Sequence, residues 1–349
     1  MPTTTLAEAQ ALFDPEPGWL NTASYGLPPR PAWDALQSML ADWRRGRSSW
    51  EPWGVATELA RATFARLVNV RADQVAVGAV VSPFVGLLAG SLQPGTRVLV
   101  PEAEFTSNLF PYLVQEQVGR LDVVTVPLAE LADRIEPRVG AVAFSLAQSA
   151  DGTVTDLTLI AKRAREVGAL VAVDATQAVG WLPVDATQAD LFVCGAYKWL
   201  CSPRGSSFCV VSDELAPRLL PSTAGWYSAE DIPSSYYGPQ MDLAHDARRF
   251  DVSPAWPVWA GTAPALELIE RVGVEAINHH DVALANRFRA GLGLEPGDSA
   301  IVAAQVPDAD RLLADAGIRA ASRAGSLRVS FHLYSTEADV DRALDALVG

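Results

Sequence analysis

The sequence predicts an α/β architecture: a mostly parallel sheet covered by helices on both faces, with a smaller α/β unit towards the C-terminus. Three observations carry this reading. Seven short apolar runs, at residues 75–77, 97–100, 123–126, 139–144, 170–173, 191–194 and 207–211, have the length and β-branched content of buried strands. Helix-length segments such as 82–92, 107–118 and 155–167 separate several of them, and such alternation favours a parallel sheet. Two isolated charges, Asp174 and Lys198, close apolar runs, and ligands in these sheets bind at the carboxyl ends of strands.

In chain order, residues 15–33 are rich in proline and turn formers and read as an extended lead-in, with Asn21, Thr22, Ser24 and Tyr25 offering polar groups. Helical patterns follow over 32–44 and 55–67. The uncharged stretch 74–96 has the apolar character of a membrane span. Ser82-Pro83 and Gly78, Gly86 and Gly90 break it into a strand, a turn and a helix. After a Pro- and Trp-rich break at 251–261, helices over 263–272 and 282–292 and strands over 300–305 and 327–331 are expected. A last helix is expected over 336–347, with Ser335 as its N-cap.

At 349 residues, two domains are expected. The division reads as an N-terminal segment 1–50 serving the active site and the small domain, a large domain over 51–254 and a small one over 255–349. Hydrophobic residues make up 49% and charged residues 19%, a globular and not a disordered balance. With 27 basic against 41 acidic residues, the net charge of −14 argues against general binding to nucleic acid or anionic membrane. It leaves room for a small anion held by local backbone donors. Three cysteines without CxxC spacing and four histidines, of which only His279 and His280 are adjacent, give no support for a zinc site. Unpaired cysteines fit a reducing compartment. The start MPTTTLAEAQ lacks the basic and apolar regions of a signal peptide, so a cytoplasmic location is expected.

Lys198 is the only charge between Asp190 and Arg204, among Tyr197, Trp199, Leu200 and Cys201. By itself it reads as a lysine snorkelling from a packed segment. Burial would instead depress its pKa and make the amine nucleophilic. Asp174 stands alone between Glu166 and Asp185, and alone it reads as a cap or strand-end acceptor. Together the pair suits a charged heteroaromatic cofactor, the amine forming a Schiff base and the acid holding a ring nitrogen protonated. Residues 77–84 run from a strand into a helix, with Ser82 at the expected N-cap and Pro83 at the first helical position. Such an end is either a plain cap or an anion site.

The segment AVDATQAVG, followed by GAYKW and SPRG, resembles the class V aminotransferase family of pyridoxal-phosphate enzymes, of fold type I. The resemblance spans nearly the whole chain and leans towards isopenicillin N epimerase-like and kynureninase-like members. It implies that Lys198 carries the cofactor, that Asp174 pairs with the ring nitrogen and that Gln177 bonds the ring oxygen, with Ser149 nearby. It also implies phosphate contacts from Ser82, the Val81 amide and Tyr197, although Val80 and Val81 stand where the family favours Gly and Thr. Phe105, in PEAEFTSNLFP, falls where an aromatic residue covers the cofactor face; the alternative is a core residue before a helix capped by Thr106 or Ser107. Arg328, in SLRVSFHLYSTEADVDRAL, matches the arginine that holds the substrate α-carboxylate. The alternatives are a strand arginine paired with a surface acid, or Arg323 in that role. Ser253 matches a residue reaching the neighbouring subunit's phosphate, which implies a homodimer with shared sites.

Asn21, Tyr25, Trp226, Tyr227, Trp256 and Trp259 are candidates to line a substrate pocket. Residues 317–326 contain no cysteine and Phe105 stands where desulfurases have histidine, so the usual cysteine desulfurase reaction is not expected. An aminotransferase acting at the Cα of an amino acid or amino-acid conjugate is the leading expectation. A C–S or C–C lyase, a kynureninase-like hydrolase and an amino-acid epimerase are alternatives. A binding protein that keeps the fold without catalysis is a reading of a different class.

Overall fold

The computed structural model describes residues 4–349, so the first three residues of the N-terminal segment lie outside the described part. The strands of the larger sheet are β1 (Val75–Gly78), β2 (Thr96–Pro101), β3 (Leu121–Val126), β4 (Val139–Ser145), β5 (Leu170–Asp174), β6 (Leu191–Gly195) and β7 (Ser207–Val211). Their spatial order is β1-β7-β6-β5-β4-β2-β3. β7 is antiparallel to both its neighbours, and every other pairing is parallel. All seven expected strands are present. β1, β5, β6 and β7 are buried at every residue, which is why they read as unbroken apolar runs.

The helices are α1 (Leu6–Gln10), α2 (Arg30–Arg44), α3 (Trp50–Leu67), α4 (Ser82–Ser91), α5 (Thr106–Gln117), α6 (Leu157–Val167), α7 (Trp256–Val272), α8 (Val274–Gly291), α9 (Ala309–Asp315) and α10 (Glu337–Val348). Side chains alternate across the sheet. Val77, Leu99, Val142, Val171, Val173 and Phe192 join one core with Phe64 of α3 and Leu266 of α7. Ala76, Val98, Ala141, Ala172 and Val193 join another with Leu88 of α4 and Tyr112 of α5. Period-2 alternation with apolar groups on both faces produces this sandwich.

A second sheet of β8 (Ile301–Ala304), β9 (Ala321–Arg323) and β10 (Ser326–Ser330) has the order β8-β10-β9 and is antiparallel throughout. Leu284, Phe288, Leu313, Val329, Phe331 and Val340 form its core. The lead-in runs beside this sheet: the Leu20 amide donates to Arg319 and the Ser330 amide donates to Leu20. It then turns at Gly26 towards Lys198.

Several boundaries differ from expectation. α7 begins at Trp256, because Pro257 sits in its first turn, where no intrahelical N–H is required. It packs on α2 and α3. α8 begins at Val274 and not at residue 282, directly after Gly273 in the left-handed region. α1, α9 and β9 were not anticipated; each is seven residues or shorter, too brief for a clear period. The N-cap of α10 is Thr336, not Ser335: Thr336 Oγ1 accepts from Asp339 N and Asp339 returns the bond. Ser335 Oγ instead accepts from the His332 amide at 3.1 Å. No helix among the described residues is long and apolar enough to cross a membrane. The stretch 74–96 is β1, a turn and the ten-residue α4.

Candidate active site

The ends of β5 and β6 and the turn between β1 and α4 open onto one cavity at the carboxyl edge of the large sheet. Ser82, Phe105, Asp174, Gln177, Tyr197 and Lys198 line it. Lys198 stands on the turn after β6, and the backbone of that turn is held from several sides. The Tyr197 carbonyl accepts from the Gly26 amide, the Lys198 carbonyl from the Cys201 amide, and the Trp199 carbonyl from His332 Nε2. A Cβ on Gly26 would lie 1.8 Å from the Lys198 oxygen, and one on Gly180 2.4 Å from the Trp199 oxygen. Those two glycines are there because the chain passes too close for any side chain.

Lys198 is 6% exposed and Asp174 5%. Neither takes part in an ion pair among the described residues, and neither does Arg328. Lys198 is therefore buried outright, not snorkelling. Burial lowers its pKa to about 8; Asp174 opposes the shift and Arg328 adds to it. Its Nζ stands 5.6 Å from the ring centroids of both Phe105 and Tyr197. Asp174 Oδ1 accepts from the Thr176 amide at 2.9 Å. Burial raises the Asp174 pKa, against the Thr176 bonds and Lys198. A buried carboxylate with no cation is costly until a protonated group pairs with it, which fits a pyridinium nitrogen.

Gln177 is oriented by Trp199, whose indole Nε1 donates to Gln177 Oε1 at 2.9 Å. The Gln177 amide nitrogen then donates to the Ala23 carbonyl at 2.9 Å and to Ser149 Oγ at 3.1 Å. Ser149 also meets Arg328, whose Nη1 donates to the Ser149 carbonyl at 2.5 Å and to its hydroxyl at 3.2 Å. Arg328 Nη2 donates to Ser24 Oγ at 2.8 Å. The guanidinium is 1% exposed and faces no acid, so it is not the strand arginine of a surface ion pair. Its Nε is buried without an acceptor. Burial, then the neighbouring Arg323, lowers its pKa to about 10. Arg323 is exposed on β9 and its Nη2 reaches the same Ser24 hydroxyl at 3.3 Å.

At the head of α4 the N-cap is Val81, and Ser82 is the first helical residue with no capping bond. The Ser82 hydroxyl is thus free of the structural duty assigned to it from sequence. The Ala79, Val80 and Val81 amides make no turn, loop or side-chain hydrogen bond among the described residues. Free amides at a helix N-terminus are what a phosphate requires. Phe105 is 45% exposed and is itself the N-cap of α5, so neither Thr106 nor Ser107 caps that helix and Phe105 is no core residue.

Three functional positions escaped sequence reasoning. Arg204 lines the cavity with its guanidinium carbon 4.8 Å from the Tyr197 ring centroid; its signal was being the next charge after Lys198. Thr176 lines the cavity and accepts from the Gly195 amide at 2.9 Å, tying Asp174 to β6. Glu104 is buried and accepts from the Ser145 amide at 2.7 Å, the Ser145 hydroxyl and the Phe105 amide at 2.8 Å. It fixes the loop that presents Phe105. Nothing in its sequence context separated it from Glu102.

Other candidates lie elsewhere. Tyr25 is exposed, with its ring 5.5 Å from that of Tyr197, at the mouth. Asn21 pairs through its backbone with Ser330 and does not line the cavity. Trp226 and Trp256 pack against Trp50, and Tyr227 packs against Trp226 and Trp256, in a separate aromatic cluster. Trp259 is fully buried, edge-on to Phe208. Ser253 is exposed and outside the cavity.

The family described as Aminotransferase class-V matches residues 53–314. An uncharacterized aminotransferase of Bacillus subtilis, YcbU, is 28% identical, over 86% of this chain and 85% of its own length. An isopenicillin N epimerase of Streptomyces clavuligerus is 26% identical over 98% of each chain. The solved cysteine desulfurase CsdA of Escherichia coli shares the fold, with a TM-score of 0.84 at 23% identity over 98% of this chain and 97% of that one. With three-quarters of its length matched and a strand-end lysine facing a buried aspartate, the chain belongs to the class V aminotransferase family, fold type I, whose cofactor is pyridoxal 5′-phosphate.

Proposed function

We propose that this enzyme is an aminotransferase acting on an amino acid or amino-acid conjugate. One observation carries the reading: Lys198 is the sole lysine, histidine or cysteine among the described residues lining the cavity, and burial holds it near pH 8. A single amine that can both take and return a proton is what a 1,3-proton shift requires. Pyridoxal phosphate, when bound, supplies an electron sink for the bond broken at Cα.

The chain's own residues do the rest. Asp174 would hold a proton on the ring nitrogen, and the Val81 amide, Ser82, Tyr197 and Arg204 would hold the phosphate. Gln177 and Ser149 would bond the ring oxygen, Phe105 would cover a ring face, and Arg328 would hold the substrate carboxylate through its guanidinium fork. Cys194, Cys201 and Cys209 are all buried, and none lines the cavity, which counts against a persulfide-forming thiol. A homodimer that places Ser253 of one copy near the phosphate of the other belongs to the same reading.

The test is spectroscopic. The protein with pyridoxal phosphate should show a band near roughly 410–430 nm, and a productive amino acid should convert it to the pyridoxamine form while a 2-oxo acid accumulates. Release of pyruvate, alanine or sulfide without that conversion would transfer the assignment to a lyase or hydrolase. Racemisation alone would transfer it to an epimerase.

A further inference from the structure

Against the turn that carries Lys198, and outside the cavity lining, lies a fully buried imidazole that the reaction described above does not use. His332 follows β10 and is 0% exposed, as is Asp281 of α8. His332 Nδ1 lies 2.9 Å from Asp281 Oδ2, and its Nε2 lies 2.9 Å from the Trp199 carbonyl oxygen. A carbonyl and a carboxylate only accept. Both ring nitrogens therefore carry protons, and the ring is an imidazolium. The bonds around Asp281 close the argument. The Gln10 amide nitrogen can only donate to His280 Nε2, 3.4 Å away. This leaves the His280 proton on Nδ1, which donates to Asp281 Oδ1 at 2.9 Å. With one oxygen accepting from His280 and the other from His332, Asp281 is the anion and His332 its only buried cation. Burial opposes charge on His332, but Cys201 and Asp281 outweigh it and push the pKa to about 10. Tyr334, edge-on at 5.7 Å, completes the surroundings.

Trp199 is a consequential place to attach this charge. It follows Lys198 directly in the chain, its carbonyl lies in the next peptide of the same turn, and its indole fixes the Gln177 amide. The turn it belongs to ends at Cys201, which adopts a φ of 52°, the left-handed region that a non-glycine residue avoids. A turn held in that conformation needs an external anchor. We propose that His332, as an imidazolium paired with Asp281, is a positioning residue for Lys198, acting through the Trp199 carbonyl. The proposal rests on the reading of Lys198 as the cofactor amine.

Two variants separate positioning from simple stability. His332→Gln and His332→Asn both leave Asp281 without its cation. The glutamine amide reaches the Trp199 carbonyl, whereas the asparagine amide reaches only Asp281. In the Asn variant kcat falls roughly 10- to 100-fold, the scale of a small misplacement of a reacting group. KM stays within about twofold, and the pH midpoint of the cofactor band moves; the Gln variant recovers most of both. Equal losses in the two variants, or losses that follow melting temperature alone, overturn the proposal. If both fail to fold, Asp281→Asn carries the test: a neutral ring that keeps its Nε2 proton on the Trp199 carbonyl leaves kcat and the band midpoint close to wild type. A loss of the size expected for His332→Asn, roughly 10- to 100-fold, is the contrary result. A nitrogen-15 spectrum of the cofactor-free wild type needs no activity. It should show both His332 ring nitrogens protonated at pH 7.5, and a neutral tautomer there overturns the proposal. A wild type that forms no cofactor band sinks the reading of Lys198 and the proposal with it. A band that forms and is identical in both His332 variants sinks the proposal alone.

Discussion

Arg61 and Asp251 lie as deep in this protein as Asp174, Lys198 and Arg328, yet their charges are satisfied and the others are not. Arg61 Nη2 meets Asp251 Oδ2 at 2.7 Å, its Nη1 donates to the Val75 carbonyl at 2.5 Å, and Glu58 takes two further bonds. Asp251 Oδ1 also accepts from the Val77 amide at 2.7 Å. Burial works against the Arg61 charge, but Asp251 raises its pKa on balance. This cluster pins α3, β1 and the segment before α7 together. In the cavity, by contrast, Lys198 and Asp174 face each other's field without contact, and Arg328 binds only serine oxygens and a carbonyl. Buried charges with complete partners hold the fold; buried charges left incomplete are waiting for a ligand.

The comparison can be broken or sharpened by measurement. Replacing Lys198 with alanine should abolish the cofactor band and lower turnover on the order of 10⁴-fold, while the cofactor-free protein melts no earlier than wild type. A marked loss of stability would move Lys198 into the structural class. Asp251→Ala should do the reverse, costing about 3–5 kcal/mol in urea unfolding by stranding Arg61.

The pH dependence of the cofactor-free protein comes next. The folded pKa of Lys198, about 8, lies below its ordinary value of 10.5. At Lys198 the unfolded chain therefore binds more protons across that window, a contribution that raises stability from about pH 8 to about 10.5 by up to about 3 kcal/mol. His332, held at about 10 against an ordinary 6.5, contributes a fall over an overlapping window. The lysine contribution is therefore read as the difference between wild type and Lys198→Met, which should grow from about pH 8 to about 10.5. Arg328→Gln should reduce kcat/KM by roughly 30-fold or more through lost carboxylate binding, with little change in melting temperature. The smallest effect should come from Phe105→Ala, about 1 kcal/mol of cofactor affinity, read by titrating pyridoxal phosphate.

Much of the site was legible because its signals are chemical and local. An isolated lysine and an isolated aspartate closing apolar strands announce themselves without coordinates. So did the strands of the large sheet, whose two buried faces leave continuous apolar runs. The aromatic candidates were less readable: Trp226, Tyr227, Trp256 and Trp259 look alike in sequence, and only packing assigns them to a remote cluster or to the core. Ser82 illustrates another gap. Its position before a proline reads as an N-cap, but the cap falls one residue earlier and frees the hydroxyl.

The sequence by itself determined the layered α/β fold and singled out Asp174 and Lys198, because periodicity and lone charges in apolar runs are properties of neighbouring residues; Arg328 was singled out by the family resemblance of its segment. Tertiary structure alone decided that Arg204, Thr176 and Glu104 belong to the site, and that His332 meets the Trp199 carbonyl. Thr176 and Arg204 stand near Asp174 and Lys198 in the chain, but their places at the cavity, like the contacts of Glu104 and His332, arise only when distant strands and loops come together. Contacts between residues 133 positions apart, such as His332 and Trp199, leave no local pattern to read.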